Sequence, residues 1–386
     1  MDYKKLTRLT IGILSFMCLM TLNGIPTREA HQFIYMLGIM AVFGLILDNT
    51  WVSCLLWWTI FLFSFYKFNT GWIYVANVFY GCVLYYIVKK VFKREHINYY
   101  INILLWLMAA NILYGALQVM NLDFIFEGGV RGSHGGEALQ GFFTPGNLQG
   151  APVGFMANTS VMASLIILCI PLLMSKRNWF AYTATGLLLI PIYCLHSFTS
   201  IVAYVVVVML MTFFTLPRKI WFILTGLLVA GFVAAFRFID MPGVERFSVW
   251  RIIMIDARQH PVVGWGLDSF RNVLQNKPFT YNMGINVVGN KIVTNLWDNP
   301  HNLYVSIAYE FGFVGLIILG GYIRQICLWF KDATKDSETL ALFGFIMAFF
   351  IISIGQFPLF LARMAIFLIP MAALYEIKTR KEYGNA

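Results

Sequence analysis

Residues 298–316 read DNPHNLYVSIAYEFGFVGL, and the apolar run that begins in this stretch continues to residue 329. A helix of that length can cross the hydrocarbon core of a bilayer, which requires about 20 apolar residues. Glu310 lies inside the run, Gly312 and Gly315 follow at a spacing of three, and a Pro-His-Asn sequence comes before it. Polar groups at such positions cost free energy, so the stretch predicts a membrane helix with a functional or structural use for them.

The rest of the chain has the composition of an integral membrane protein. Of its 386 residues, 59% are hydrophobic and 12% are charged, and its mean hydropathy is +0.72, whereas soluble domains are about 45–50% apolar and about 25% charged. We expect an all-α polytopic membrane protein with about twelve transmembrane helices. The predicted spans are 7–23, 32–47, 51–66, 71–88, 100–120, 155–174, 179–195, 198–216, 219–236, 303–329, 339–357 and 360–377, with re-entrant or broken portions in 155–174 and 303–329.

Basic residues in the short connections predict the orientation of these spans. Lys4, Lys5 and Arg8 place the N-terminus in the cytoplasm, and an even number of spans places the C-terminus there too. Every second connection is then cytoplasmic. All of these except the turn at 48–50 are basic, with lysines and arginines at 89–94, 176–177, 218–219, 331–335 and 378–381. Topology therefore accounts for the net charge of +10, and nucleic acid is not an expected partner.

The predicted organisation has five segments. Residues 1–120 form spans one to five, 121–154 form a glycine-rich external loop, and 155–236 form spans six to nine. Residues 237–302 form a large external loop with short helices, and 303–386 form spans ten to twelve and a cytoplasmic tail. All six cysteines lie inside spans, without C-x-x-C spacing, which predicts packing rather than a disulfide framework or a zinc site. We expect neither a metal nor a cofactor.

The large external loop contains RFSVWRIIMIDARQHPVVGWGLDSFRNV at 246–273. Its apolar residues recur at helical spacing, which predicts an amphipathic helix over 246–259 with Trp250, Ile253, Met254 and Ala257 on one face. Arg246, Arg251 and Arg258 lie on or beside this helix. They fit two interpretations: an interfacial helix whose arginines contact lipid phosphates, and a guanidinium clamp that binds a diphosphate through bidentate hydrogen bonds.

His301 and Asn302 begin the tenth span, at the external interface. A histidine there is either a hydrogen-bonded structural group or, because its pKa lies near neutrality, a general base. Glu310 lies deeper in the span, where a carboxyl group is either functional or satisfies backbone groups of a neighbouring helix. Gly312 and Gly315 allow a close helix approach or a break.

Three motifs resemble those of the bacterial O-antigen ligase and polymerase superfamily. H-N-x9-G-x-x-G, at His301, Asn302, Gly312 and Gly315, resembles the histidine signature of the family. R-x-x-x-W, at Arg246 and Trp250, and the following P-x-x-G-x-G-x-x-x-F resemble its loop segment. GFMANTSVMASLIILCIPLL at 154–173 is similar to its G-x-F-x-N-x-N-x-x-A…P-L-L stretch, with Asn158 at the first asparagine and Ser160 at the second.

The resemblance implies a metal-independent glycosyltransferase of the membrane C-type class, active at the external face of the bacterial inner membrane. The implied donor is a glycan on undecaprenyl diphosphate, and the implied acceptor is a glycan or a lipid. Membrane lipids and other polysaccharide-assembly proteins are further expected partners. His301 would deprotonate or orient the acceptor hydroxyl, and Arg246 or Arg251 would bind the diphosphate.

One departure from the family pattern concerns a second arginine, in S-R-G-x-x-L at an external helix start. The corresponding stretch here is HSFTSIVAYVV at 196–206, where Phe198 or Ser200 stands in its place. Arg363 in the last span is the first candidate substitute, and Arg131 in the glycine-rich loop is the second. Ligase and polymerase activities therefore both stay open.

Two further interpretations compete with the enzyme. Twelve spans are common in transporters and in flippases of lipid-linked sugars, but those proteins have two similar halves with polar residues at mid-membrane in both. Here the first five spans are nearly free of charge, and polar groups cluster after residue 120 on one face. The missing arginine also fits an inactive family member that acts in an assembly complex.

Overall fold

The computed structural model of the protein describes residues 85, 88–89, 92–120, 159–195, 198–236, 244–266, 269, 285–288, 291–294, 300–333, 335–355 and 362–379. In these residues the architecture is all-α apart from one short β-hairpin, so the predicted all-α class is confirmed. The first four predicted spans lie almost entirely outside the described residues, and the count of twelve stays a prediction.

Each of the other eight predicted spans coincides with helix. A 3-10 turn at Arg94–His96 leads into α1. The helices are α1 Ile97–Val119, α2 Thr159–Met174, α3 Trp179–Leu187, α4 Leu189–Cys194, α5 Phe198–Thr215, α6 Arg218–Phe236, α7 Val244–Ala257, α8 Leu303–Ala333, α9 Ser337–Ile352 and α10 Ala362–Thr379. The predicted break in 303–329 is present, whereas α2 is continuous over the described part of 155–174.

Two of the described helices are long and apolar enough to cross a bilayer, at Arg94–Gln118 and Leu303–Ala333. Four shorter apolar helices accompany them at Val161–Met174, Trp179–Cys194, Thr199–Thr215 and Ser337–Ile352.

The hairpin lies in the large loop and is an element that sequence reasoning missed. Strand β1 (Ile285–Val288) pairs antiparallel with β2 (Lys291–Thr294), and Val288 lies opposite Lys291. A two-residue Gly-Asn connection between two β-branched runs is a recognised hairpin signal, so the sequence contained the information.

Helix α2 lies at the centre of the helices that the structure describes. It packs against α1, α5 and α9, and nearly every side chain from 161 to 174 is buried. A helix that is apolar on all sides is covered either by other parts of the protein or by lipid, and α2 is covered by other helices. Gly344 of α9 makes one of these contacts close, because a Cβ there would lie 2.6 Å from Pro171 Cβ and 2.7 Å from Met211 Sδ.

The basic connections of the described chain gather at one end of the bundle. Lys89 Nζ pairs with Glu376 at 2.7 Å, and Lys378 pairs with Glu338. Lys176 Nζ donates to an asparagine in the second turn of α1 at 3.4 Å. The charge rule predicts such a grouping, while the assignment of this end to the cytoplasm stays a prediction.

Asp336 begins α9 at this end. Its carboxylate accepts hydrogen bonds from the Thr339 backbone N–H at 2.9 Å and from the Thr339 hydroxyl at 2.8 Å. Burial alone would raise the pKa of Asp336, but these donors and the Lys378 ammonium hold that pKa below its ordinary value.

The opposite end carries the start of α8. The Leu303 N–H donates to the Ser353 carbonyl at the end of α9 at 3.0 Å, and the Tyr304 hydroxyl donates to the Phe350 carbonyl at 2.8 Å. Helix α7 packs on α8 at this same end. The described residues of the histidine and loop motifs therefore lie together, away from the basic connections.

Candidate active site

Helix α7 confirms the predicted helix over 246–259, with one change to its buried face. Ile253 and Ala257 are buried and Trp250 is half-buried, as the spacing predicts. Met254, however, is 42% exposed, and Asp256 lies in the buried face instead. Hydrogen-bond donors on α8 and in the turn after α7 meet the carboxyl group of Asp256 there.

Trp250 connects α7 to the residue before the histidine. Its indole Nε1 donates to the carbonyl oxygen of Pro300 at 2.7 Å. Pro300 is buried, so the carbonyl would otherwise be removed from water without a partner, at a cost of about 1–3 kcal/mol. The tryptophan of R-x-x-x-W thus fixes the distance between the arginine-bearing helix and the start of α8.

His301 has a left-handed backbone, with φ +49°, and its side chain is half-buried. Non-glycine residues adopt this region uncommonly, although histidine does so more readily than most. The conformation persists because both neighbours are fixed, Pro300 by Trp250 and Asn302 by α8. Such backbone strain concentrates at functional sites, so the geometry is in keeping with the predicted role of this histidine.

Asn302 is the N-cap of α8. Its Oδ1 accepts hydrogen bonds from the backbone N–H groups of Tyr304 at 2.9 Å and Val305 at 3.0 Å, and its side chain is buried. The N–H of Leu303 donates to Ser353. The first-turn amides that could bind an anion at a helix N-terminus therefore already have acceptors within the protein. A phosphate at this place must be held by side chains.

Helix α8 is broken at Gly312, which has φ +58° and ψ −146°. This region is essentially restricted to glycine. In a continuous helix, the N–H groups of Phe313 and Val314 would donate to the carbonyls of Tyr309 and Glu310. The break separates these four groups, and in a membrane each unpaired backbone group costs several kcal/mol.

Residues 261–266, which we call the clasp, supply partners on the carbonyl side of the break. The Trp265 N–H donates to the Tyr309 carbonyl and the Gly266 N–H donates to the Glu310 carbonyl, both at 2.9 Å. These are the P-x-x-G-x-G residues of the loop motif. Their backbone takes the place of the next helical turn.

The clasp also supplies acceptors on the amide side. The Phe313 N–H donates to the Pro261 carbonyl at 2.8 Å, and the Val314 N–H donates to the Val262 carbonyl at 3.1 Å. Two helical hydrogen bonds are therefore replaced by four between α8 and the clasp. The loop motif and the G-x-x-G of the histidine signature are two halves of one backbone structure.

Glycine is required on both sides of this contact. A Cβ at Gly264, where φ is +66°, would lie 2.5 Å from the backbone oxygen of Glu310. A Cβ at Gly312 would lie 2.6 Å from the backbone nitrogen of Gly264 and 2.7 Å from the carbonyl oxygen of Pro261. Gly315 leaves room for Phe311 and Ile307 of the same helix. Glu310 is itself buried in this contact.

The candidate arginines differ in placement. Arg251 and Arg258 are exposed on and after α7. Arg246 lies in α7 one turn before Trp250, and its side chain is outside the described residues. Arg363 lies in the first turn of α10, again without a described side chain. Arg131 and Asn158 lie outside the described residues.

Thr199 and Ser200, in the stretch 196–206 that lacks the family's second arginine, also lie near the start of α8. Ser200 is 2% exposed, and Thr199 lies against Gly355, which follows α9 by three residues. Leu303 is bonded to Ser353 in this same part of the chain. An arginine at position 200 would have to bury its charge, which is costly without a partner.

A comparison with known families assigns the segment that holds these features. Residues 157–320 match the family described as O-Antigen ligase. The segment is thus similar to this family, which supports the O-antigen ligase/polymerase superfamily. The match runs from just before α2 to the middle of α8, so it contains α7, the clasp, His301 and the break at Gly312. The O-antigen ligase resemblance of the three motifs is therefore confirmed. No curated protein matches the chain.

Proposed function

We propose that the protein is a membrane glycosyltransferase that transfers or polymerises a glycan carried on undecaprenyl diphosphate at the external face of the cytoplasmic membrane. The O-antigen ligase family indicates a function of the ligase or polymerase type. The observation that carries the proposal is the placement of His301. It lies at the start of α8, in a left-handed conformation, beside a proline whose carbonyl is bonded to the arginine-bearing helix.

The proposed reaction is a single displacement. An acceptor hydroxyl oxygen attacks the anomeric carbon, and the imidazole of His301 accepts the hydroxyl proton. The bond between the anomeric carbon and the diphosphate oxygen breaks, and its electron pair leaves with the lipid diphosphate. Guanidinium groups bind the departing oxygens and neutralise the charge that develops there.

Arg246 is the first candidate for the diphosphate clamp. It lies one helical turn from Trp250, the residue that joins α7 to Pro300. Arg251 follows it, because it is exposed and adjacent to Trp250. Arg258 lies two turns farther along and also suits contact with lipid phosphates. Because the first-turn amides of α8 have acceptors in the protein, arginines rather than the helix terminus are expected to hold the anion.

The test is glycan transfer by purified protein from an undecaprenyl-diphosphate glycan donor. We expect His301→Ala and His301→Gln to abolish transfer while the protein still inserts and is extracted normally. Arg246→Ala should be nearly as damaging, and Arg251→Ala somewhat less. Arg218→Ala is the matched control, since this arginine is exposed at the basic end of the bundle. Full transfer by His301→Ala protein would refute the mechanism.

Glycan analysis of a deletion strain separates the two activities. Loss of long chains with single repeats still attached to the final acceptor indicates a polymerase. Intact lipid-linked chains that fail to reach the final acceptor indicate a ligase. Loss of glycan from the acceptor, with lipid-linked repeats held on the cytoplasmic side of the membrane, would instead favour the flippase.

A further inference from the structure

Asp256 joins three segments around the break in α8, although no motif of the sequence includes it. It is buried on α7, with 7% of its surface exposed. The hydroxyl of Tyr309, in the first part of α8, donates to its Oδ2 at 2.9 Å. The indole Nε1 of Trp265, in the clasp, donates to its backbone carbonyl at 3.2 Å.

The turn between α7 and the clasp is bonded to the same residue. Gln259 Nε2 donates to Asp256 Oδ1 at 3.1 Å, so both carboxylate oxygens accept a hydrogen bond. Ring contacts reinforce this arrangement. Trp265 stacks on Tyr309 with 6.3 Å between ring centroids, and His260 packs edge-on against Trp265 at 4.1 Å.

Packing alone does not account for a carboxylate at this position. Its neighbours on the buried face, Ile253 and Ala257, are apolar, and another apolar residue would fill the space without loss of hydration. Desolvation of an ionised carboxylate costs several kcal/mol even after relaxation. A buried polar group whose partners come from several elements specifies one arrangement of those elements.

We propose that Asp256 is a positioning residue that locks the clasp onto the break in α8, so that α7 and the first part of α8 form one rigid unit. The arginines of α7 and the histidine that precedes α8 are then held at a fixed separation. The consequence for catalysis rests on the proposed function, whereas the lock itself is a property of the fold. Catalysis needs the arginines and the histidine at a fixed separation, because a misplacement of a reacting group by about 1 Å can lower turnover by about 100-fold.

The lock is tested by hydrogen–deuterium exchange of the full-length protein in detergent, followed in peptides that contain the four clasp-bonded amides. Asp256→Ala and Tyr309→Phe should each raise exchange at Trp265, Gly266, Phe313 and Val314 by about tenfold, since local opening becomes easier. Tyr304→Phe is the matched control: it also removes a hydroxyl bond of α8, but that bond goes to α9. It should leave these peptides unchanged.

A conservative variant separates hydrogen bonding from charge. Asp256→Asn keeps an acceptor and has a donor, and both the Tyr309 hydroxyl and the Gln259 amide can reorient to accept from it. We therefore expect exchange close to that of the wild type. Unchanged exchange in both Asp256→Ala and Tyr309→Phe would overturn the proposal. Exchange in Asp256→Asn as fast as in Asp256→Ala would also overturn it, since hydrogen bonds would then not be the cause.

Kinetics test the consequence for the site. With donor binding intact, Tyr309→Phe should lower kcat by at least about tenfold and change the donor KM by less than about threefold, because the clamp is present but displaced from the base. A rise of about tenfold in the donor KM of Tyr309→Phe, at unchanged kcat, would contradict a positioning role. If the wild type transfers no glycan while the exchange results are as expected, the proposed function fails and the lock stands.

Discussion

Replacement of Gly312 by alanine is expected to destabilise the protein more than any other single methyl addition to α8. The added Cβ would lie 2.6 Å from the Gly264 nitrogen, 2.7 Å from the Pro261 oxygen and 2.8 Å from the Val262 carbonyl carbon. All three are backbone atoms, so no side-chain rotation relieves the contact. The clasp must move away or the helix must shift.

The magnitude follows from two separate costs. A non-glycine residue at φ +58° and ψ −146° carries backbone strain of about 1–3 kcal/mol. A methyl group forced into packed space costs about 1–3 kcal/mol more. We therefore expect Gly312→Ala to lower the free energy of unfolding by about 2–6 kcal/mol, a large part of the about 5–15 kcal/mol that stabilises a typical protein.

The assay compares Gly312→Ala with Gly320→Ala in the same helix. Gly320 is exposed and a Cβ there would have no heavy atom within 4 Å, so its replacement should change stability by no more than about 1 kcal/mol. Reversible unfolding in mixed micelles measures the free energy of unfolding of both variants. The fraction of monodisperse protein after extraction gives a second readout. Equal unfolding free energies for the two variants would refute the geometry of the break.

Three further predictions concern the ends of the bundle. Trp250→Phe keeps an aromatic side chain but removes the indole donor to the buried Pro300 carbonyl, so glycan transfer should fall by about tenfold. Trp179→Phe, at a residue 78% exposed, should leave transfer unchanged. Asn302→Ala should lower the free energy of unfolding by about 1 kcal/mol through loss of the N-cap, and Asn302→Asp should keep it; equal melting temperatures would exclude a capping role. Because the folded-state pKa of Asp336 lies below its ordinary value, its contribution to stability is present above about pH 4 and is lost as the pH falls. The melting temperature of the wild type should thus fall more steeply from about pH 5 to about pH 3 than that of Asp336→Asn, and parallel curves would contradict this.

The helices of the site were predictable because their signals are local. The spacing of Trp250, Ile253 and Ala257 predicts α7, and all three turn toward the interior. Met254 shares this spacing but is exposed, whereas Asp256 is buried. Periodicity ranks positions by polarity, and it cannot register that Tyr309, more than fifty residues away, offers a donor to Asp256. Non-local hydrogen bonds decide which side of an amphipathic helix is buried.

The break in α8 was predictable only as one of two alternatives. Gly312 and Gly315 allow either a close helix approach or a break, and the choice depends on whether another segment can satisfy the freed backbone groups. That segment is the clasp, which lies some fifty residues earlier in the chain. The two motifs were each visible in the sequence, but their pairing is a tertiary fact. The backbone carbonyl of Glu310 is one of the groups that the clasp satisfies, while the use of its buried carboxyl group stays a prediction.

Four hydrogen bonds to the clasp replace two helical hydrogen bonds at Gly312. This replacement has a consequence for the order in which α8 and the clasp come together. Before the clasp arrives, the groups around Gly312 can pair with one another in an unbroken helix, which is the form that a nascent segment can adopt as it enters the bilayer. The broken form gains its partners only when residues 261–266 dock. The groups around Gly312 are therefore bonded both in an unbroken helix and in the broken helix with the clasp docked. The clasp precedes α8 in the chain, so it is synthesised in time to meet it.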